Sequence, residues 1–179
     1  MKVIYLAFVT VGVLALTGCS TAPKSQEGKA DIEKKAADAV ARAETSDPTL
    51  AKVLADAQAY AVFPTVGKGA VGVGGAYGKG VLYENRVAVG YCDLTQGSVG
   101  LQLGGQSYTE IIAFSTKEAV DHFKAGNFAF DAQATAVALK SGTGANAKYA
   151  NGVAVFTMNE SGLMYEASVG GQKFSYQAK

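Results

Sequence analysis

The chain has 179 residues, of which 49% are hydrophobic, so it is long enough to fold as one domain with a substantial core. The formal net charge is +1, and loss of the segment that contains Lys2 leaves 15 basic residues, one fewer than the 16 of the full chain, against 15 acidic residues. This balance argues against general nucleic-acid binding, which needs a basic surface, so an anionic partner has to meet a local cluster of charge.

Residues 1–19 are predicted to form a lipoprotein signal peptide. Lys2 precedes an apolar run, residues 3–16, that is short for a membrane span and typical of a signal-peptide core. The run ends in the tetrad Leu-Thr-Gly-Cys, which resembles the bacterial lipobox, where the cysteine is acylated on its thiol and becomes the new N-terminus. The lipid anchor is then Cys19. The alternative is an ordinary secretory signal that contains a chance cysteine.

An acylated Cys19 predicts a membrane-bound protein, because each buried CH₂ of an acyl chain contributes about 0.8 kcal/mol. The next residue is Ser20, and a residue other than aspartate at that position favours the outer membrane of Gram-negative bacteria. We therefore expect a protein of the bacterial cell envelope, anchored in the outer membrane and facing the periplasm. Residues 20–28 are predicted to be a polar tether, and residues 29–179 a single domain.

Two helices are predicted in the first part of this domain. The first begins at Lys29 and carries isoleucine, valine and alanines on one stripe. The second has Asp47 as its N-cap and Pro48 as its first residue, and we expect it to end near Tyr60, where a valine-rich stretch begins.

The stretch from Tyr60 to Phe114 is rich in glycine but keeps its valines, leucines and tyrosines, which indicates packed β-sheet. In residues 70–83, strand alternation gives one bulky face, with valines and tyrosines, and one nearly bare face, with glycines and alanines. A strand without side chains on one face lets another backbone, a helix or a ligand approach closely. Cys92, which has no disulfide partner if Cys19 is acylated, is interpreted as a buried small hydrophobe rather than a reactive thiol.

Six short strands are predicted in this region, at residues 61–63, 70–76, 80–83, 87–94, 98–106 and 111–114. Turns are predicted at residues 84–86 and 95–97, and the short connections indicate antiparallel neighbours.

The last part of the chain is predicted to begin with a third helix. Ser115 and Glu118 form a capping box, and Gly126 ends the helix. Residues 128–139 fit either a strand or a helix. The remaining predictions are a loop at 141–149, a hairpin of strands 153–158 and 163–169, and a final strand at 172–176.

The sequence lacks the patterns of common catalytic sites. The glycines do not give a dinucleotide-binding or P-loop motif, and the single histidine, His122, is interpreted as part of a solvated helix face. One histidine and one free cysteine do not make a common structural zinc site. Four glutamates are interpreted as markers of strand ends and solvated faces: Glu84, Glu110, Glu160 and Glu166. No enzyme activity, cofactor or metal is therefore expected.

Three basic residues punctuate the glycine-rich stretch, and they are the candidate lipid-binding residues. Lys68 and Lys79 flank the bare strand, and Arg86 lies in the following turn. In a meander, these charges can converge at one rim of the sheet, where they would bind phosphate head groups. The alternative is that lysines at strand ends keep the edges of the sheet soluble.

Several ordered motifs between Leu50 and Tyr176 resemble the SYLF domain family. They read AYAVFP, GKG, VGGAYGKG, SVGLQLGGQ, SGLMY and SVGG along the chain. The positions that match the family pattern are Lys68, Gly72, Gly74, Gly75, Gly78 and Gly104, and structural roles are expected for the glycines.

The resemblance implies a non-enzymatic, membrane-associated module, since lipid binding and, in fungi and animals, actin binding are known in the family. The present chain carries no SH3 or FYVE partner domain, and an envelope protein of a bacterium meets neither actin nor phosphoinositides. We therefore expect an α+β fold with an antiparallel sheet or partly closed barrel that binds membrane lipids. The alternative is an envelope protein-interaction or assembly module with a protein partner.

Overall fold

A computed structural model describes residues 21–71, 73–99, 106–126, 128–130, 135–159 and 166–179. The candidate anchor Cys19, and the family positions Gly72 and Gly104, lie outside these ranges.

Two helices precede the sheet, α1 at Gln26–Ser46 and α2 at Leu50–Asp56. The first helix begins three residues before the predicted Lys29, because the Ser25 side chain caps it by accepting a hydrogen bond from the amide of Gly28 at 3.0 Å. The second helix ends before the predicted Tyr60, because the first strand already begins at Ala59.

The junction of α1 and α2 is built on the buried carboxylate of Asp47. Its oxygens accept hydrogen bonds from the amide and hydroxyl of Thr49, at 3.0 and 2.6 Å, and from the amides of Gly142 and Gly144, at 3.1 and 2.5 Å. The prediction of Asp47 as N-cap and Pro48 as first helical residue is wrong in position, since Thr49 is the N-cap of α2 and the helix begins at Leu50. Asp47 instead ends α1 and ties the start of α2 to a loop far along the chain. Burial raises the pKa of Asp47, but these hydrogen bonds outweigh it, so the pKa is lowered.

The variant Asp47→Asn is expected to lower the free energy of unfolding by about 2 kcal/mol. The substitution replaces one carboxylate oxygen, which accepts hydrogen bonds in a buried site, by an NH₂ group that cannot accept them. Urea unfolding measures the change. The matched control is Asp31→Asn, since Asp31 forms an exposed ion pair with Lys35 and its loss is worth about 0.5 kcal/mol or less. Equal effects of the two substitutions would contradict the role given to Asp47.

The rest of the domain is one mixed sheet with a third helix. The described residues form eight strands, β1 Ala59–Val71, β2 Val73–Glu84, β3 Val87–Val99, β4 Gln106–Phe114, β5 Thr135–Ala138, β6 Val153–Asn159, β7 Glu166–Ser168 and β8 Gln172–Ala178, and α3 is Lys117–Lys124. Their order in the sheet is β7-β5-β6-β4-β1-β2-β3-β8. The predicted α+β class with a largely antiparallel sheet is confirmed. The sheet stays open, so the alternative of a partly closed barrel is wrong.

Strands β1, β2 and β3 form the predicted antiparallel meander, with longer strands than predicted. The turn between β2 and β3 is confirmed, since Asn85 and Arg86 have φ values of 49° and 63°. The second predicted turn, at residues 95–97, is wrong, because these residues pair with β2 within β3. The predicted strand 70–76 combines the end of β1 with the start of β2.

The predicted hairpin near the C-terminus is wrong in its pairing. Strand β5 lies between β6 and β7, parallel to β6 and antiparallel to β7. Both β6 and β7 were predicted, but the strand that separates them comes from the ambiguous stretch 128–139. The final strand is confirmed as β8, which pairs with β3.

The third helix begins with Thr116 as its N-cap, one residue after the predicted Ser115. The Thr116 hydroxyl accepts a hydrogen bond from the amide of Ala119 at 3.3 Å. The predicted end is confirmed, since Gly126 adopts a φ of 70°, a left-handed conformation that favours glycine. His122 is exposed on this helix, as predicted.

The two faces of the sheet carry two separate cores. Helices α1 and α2 cover one face, where Tyr60, Val62 and Tyr91 are buried against the alanines of α1. The opposite face is the concave face, which contains Phe63, Leu94 and Phe174 and is covered by α3. Among the described residues no helix is long and apolar enough to cross a membrane.

The bare side of β2 belongs to the concave face, and its glycines admit a close neighbour. A Cβ atom on Gly80 would lie 2.6 Å from the carbonyl oxygen of Val62 and 2.7 Å from the ring of Phe63. The Phe63 ring therefore packs directly on the backbone of β2, as the predicted role of a side-chain-poor strand requires.

Candidate functional site

The face of the sheet that carries α1 is only partly covered. Beyond the helix, towards the connection between β1 and β2, exposed side chains of four strands share this face. We call this surface the open face, and it consists of Thr65, Tyr77, Thr95, Lys173 and Ser175. Tyr77 is the most prominent member, because half of it (50%) is accessible to solvent.

The predicted site residue Lys79 borders the open face. Its Nζ atom lies 3.2 Å from Oδ1 of Asp93 and 6.0 Å from the centre of the Tyr77 ring. Burial lowers the pKa of Lys79, but the bonds to Tyr77 and Asp93 outweigh it and the pKa is raised, so the ammonium group stays charged. Burial also raises the pKa of Asp93, against the opposing effect of Lys79.

The N-terminal end of the described chain is bound to the same surface. The Thr21 carbonyl accepts a hydrogen bond from Lys79 at 3.3 Å, and the Thr21 hydroxyl lies 3.0 Å from that of Ser175. The amide of Ala22 donates to the Gln177 side chain at 3.1 Å, and Ala22 is buried in the core beneath α1. Within the predicted tether, residues 21–22 are therefore in contact with the sheet, and residues 26–28 are part of α1.

The structure does not bring the three predicted basic residues together. Lys68 pairs with Ala76, so it lies on the concave face, opposite to Lys79. Arg86 lies in the turn beyond the other end of β2, and the strand from Ala76 to Glu84 alone spans about 26 Å. There its guanidinium group is 3.5 Å from a Glu44 carboxylate oxygen and donates to a carbonyl of α2.

A second group of charges lines a cleft of about 350 Å³ between the first turns of α1 and the ends of β3 and β8. The Glu33 carboxylate accepts a hydrogen bond from Tyr91 at 2.6 Å and lies 2.8 Å from Nζ of Lys179. Lys29 stands 5.7 Å from the centre of the Tyr91 ring. Burial raises the pKa of Glu33, but the bonds from Lys179 and Tyr91 prevail and the pKa is lowered. The lining therefore contains two lysines and one glutamate, of which Lys179 is paired with Glu33.

The concave face contains a buried carboxyl group, that of Glu110, so the prediction that this residue marks a strand end or a solvated face is wrong. Glu110 is fully buried, and Gln172 donates to its Oε2 atom at 3.0 Å and to the Tyr108 hydroxyl at 3.4 Å. Since Gln172 is on β8 and Glu110 on β4, the contact shows that the sheet curls across its concave face. Burial raises the pKa of Glu110 to about 7.

Three polar atoms of this region have no hydrogen-bond partner within the part of the chain that is described: Oε1 of Glu110, Oγ1 of Thr157 and Oε1 of Gln172. Thr157 is the β6 neighbour of Glu110. The sequence does contain an indication that Glu110 is buried. By strand alternation, Glu110 lies on the same face of β4 as the apolar Ile112 and Phe114.

Cys92 is fully buried on the concave face, as predicted, and burial raises the pKa of its thiol well above the usual value. Within the described ranges, no group of three or more histidine, cysteine, aspartate or glutamate side chains is placed to hold a metal ion.

Two comparisons with known proteins give matches. Residues 95–179 match the family Ysc84, described as Las17-binding protein actin regulator. The chain is also similar to Beta cell expansion factor A of Aeromonas veronii, with 28% identity over 155 residues. This alignment covers 85% of the chain but 59% of the relative, so the chain spans about three-fifths of the length of the curated relative that it matches.

Proposed function

Residues 95–179 belong to the Ysc84 (SYLF) family, as the motifs in the sequence predicted, and on this premise we propose that the chain is a non-catalytic, lipid-binding protein of the bacterial envelope. Domains of this family generally bind other molecules and are not enzymes. In this proposal, Cys19 is acylated and holds the protein in the outer membrane, and the folded domain adds its own affinity for lipid head groups.

The open face is the observation that carries this proposal. A half-exposed tyrosine suits a membrane–water interface, because its ring is apolar and its hydroxyl is polar. Lys173 supplies a positive charge to the same surface, and Lys79 borders it, so anionic head groups are attracted. Hydroxyl groups of Thr65, Thr95 and Ser175 complete a surface that can hydrogen-bond to phosphates.

The candidate lipid-binding residues have different positions relative to this surface. Lys79 is at its border, Lys68 is on the concave face near the same end of the sheet, and Arg86 is at the opposite end. We keep Lys79 as a contributor to lipid binding. For Lys68 and Arg86 the role remains the prediction made from the sequence.

The alternative function is an assembly module that binds a protein of the envelope. Its support is the position of β8 at an edge of the sheet, since an edge strand can pair with a strand of another chain. Only the part of β8 beyond Lys173 is considered, because Gln172 and Lys173 already pair with Phe130 and Ala129. Crosslinking followed by pull-down tests this alternative. The Las17 and actin binding in the family description is a property of other family members and is not proposed for this chain.

Flotation with liposomes tests the lipid-binding role. Residues 20–179, which lack the anchor, are expected to float with vesicles of phosphatidylethanolamine and phosphatidylglycerol at low salt. Lys173→Gln is expected to weaken binding about fivefold, because a basic residue near an anionic membrane surface is worth about 1 kcal/mol. Lys148→Gln is the matched control, since Lys148 is also exposed but lies in a loop beside α2. Absence of flotation on these vesicles and on neutral ones would overturn the lipid-binding role.

A further inference from the structure

We infer that the docked N-terminal segment orients the domain on the membrane, so that the open face lies against the bilayer in which Cys19 is anchored. This inference rests on the proposed function and names the surface and the partner of that function, which is a lipid bilayer. Its basis is the set of contacts that Thr21 and Ala22 make with β2 and β8.

Only two peptide units of chain connect the anchor to the residues that contact the sheet. Two peptide units separate Cys19 from Thr21, so their Cα atoms are at most about 7 Å apart. Thr21 itself is held on the sheet by Lys79 and Ser175, and Ala22 is buried. A tether with no contact to the sheet along residues 20–28 would let the domain turn freely above the membrane. A chain bound to the sheet at residues 21–22 does not allow this.

The open face lies directly beside the docked residues 21–22. Lys79, Asp93 and Ser175 are neighbours in one row across three strands. The next row on the same face is Tyr77, Thr95 and Lys173, two residues further along each strand. Two residues of a strand span about 7 Å, so this row lies within reach of the bilayer that holds the acyl chains.

In this orientation, the end of the domain opposite to the docked residues points away from the membrane. Helix α1 begins next to the docked segment and extends for 21 residues, which corresponds to about 31 Å. Near its far end, Glu44 contacts Arg86 in the turn between β2 and β3. Arg86 also donates to a carbonyl of α2, and Tyr149 lies close enough to Asp56 of α2 to interact with it electrostatically. In this orientation Arg86 and Tyr149 are therefore the membrane-distal residues.

The side chains at the two ends of the domain differ in a way that agrees with this orientation. The membrane-proximal end combines Tyr77, Lys173 and hydroxyl side chains, whereas at the distal end Arg86 is paired with Glu44 and Lys52 with Asp56. At the proximal end the exposed Lys173 lies in the same row as Tyr77, and Lys79 is paired with Asp93 at 3.2 Å.

A fluorescent label that responds to the polarity of its surroundings tests the orientation. The full, lipidated chain is prepared as two single-site variants, Thr95→Cys on the open face and Lys148→Cys near α2, and each is labelled with the dye NBD. Both positions are exposed, and the native Cys92 is buried and does not take up the label. Each variant is reconstituted into vesicles of phosphatidylethanolamine and phosphatidylglycerol, and its flotation is recorded.

We expect the emission of the label at residue 95 to rise severalfold and shift to shorter wavelength on vesicles, and the label at residue 148 to stay unchanged. Insertion of ten Gly/Ser residues between Ser20 and Thr21 should preserve flotation and reduce the response at residue 95. If the chain floats but the two labels respond alike, or residue 148 responds more strongly, the orientation is overturned. If the lipidated chain does not float, the anchor and the proposed function fail first, and the orientation fails with them.

Discussion

Glu110→Gln should raise the free energy of unfolding at pH 8 by about 3 kcal/mol and leave it nearly unchanged at pH 4. The reason is the position of Glu110 on the concave face, where its carboxyl group has no access to water. A charged carboxylate is costly there, although Gln172 donates a hydrogen bond to it. A glutamine accepts the same hydrogen bond and carries no charge at any pH.

The pKa values of Glu110 in the folded and the unfolded chain decide how the free energy of unfolding changes with pH. Glu110 has a pKa of about 7 in the folded protein and an ordinary value of 4.5 in the unfolded chain. Between these values the folded protein binds more protons, so the stability that this group provides is full below about pH 4.5 and is lost as the pH rises to 7. The wild-type chain therefore pays for the buried charge at pH 8, whereas the glutamine variant does not.

Denaturant unfolding of residues 20–179 at pH 4 and pH 8 measures both values. Glu118→Gln is the control, since Glu118 is exposed on α3 and its substitution should keep the wild-type difference between the two pH values. A glutamine variant of Glu110 that retained this difference would show that the carboxyl group is not the source of it.

Gly80→Ala should lower the free energy of unfolding by about 3 kcal/mol, at the upper end of the usual cost of overpacking. The new methyl group would meet the Val62 carbonyl at 2.6 Å and the Phe63 ring at 2.7 Å. Because the carbonyl belongs to the paired backbone of β1, the strand cannot move aside without loss of its ladder with β2. The concave core must therefore rearrange around a single methyl group.

Gly97→Ala is the matched substitution, in the neighbouring strand β3, where a Cβ atom would meet nothing within 4 Å. It should leave stability unchanged or raise it by about 0.5 kcal/mol, because alanine restricts the unfolded chain more than glycine does. Thermal or urea unfolding compares the pair. Similar losses at both positions would mean that glycine is needed for strand geometry in general and not for the contact with Phe63.

The features that the sequence predicted well depend on local patterns. The apolar stripe of α1, the stop of α3 at Gly126 and the meander of β1 to β3 are all specified by residues close together in the chain. The bare face of β2 was also predictable, because alternation over a few residues decides which side chains share a face.

The features that the sequence did not predict depend on distant residues. Nothing near Asp47 indicates that its partners are Gly142 and Gly144, and nothing near Glu110 indicates that β8 folds across the concave face. The position of β5 between β6 and β7 has the same origin, since short strands have little intrinsic preference for a neighbour. The candidate site was predicted in part, because Lys79 borders the open face while Tyr77 and Lys173 were not singled out.

The place of β8 beside β3 also has a consequence for how the chain reaches its native state. A polypeptide made from its N-terminus completes the β1–β3 meander early, but Gly90 receives its partner Ala178 only after every other element has been synthesised. Until then, one side of β3 exposes unpaired amides and carbonyls next to apolar side chains, which invites association with other chains. Newly made molecules should thus need a chaperone, or low local concentration, up to the moment when the last strand closes the ladder.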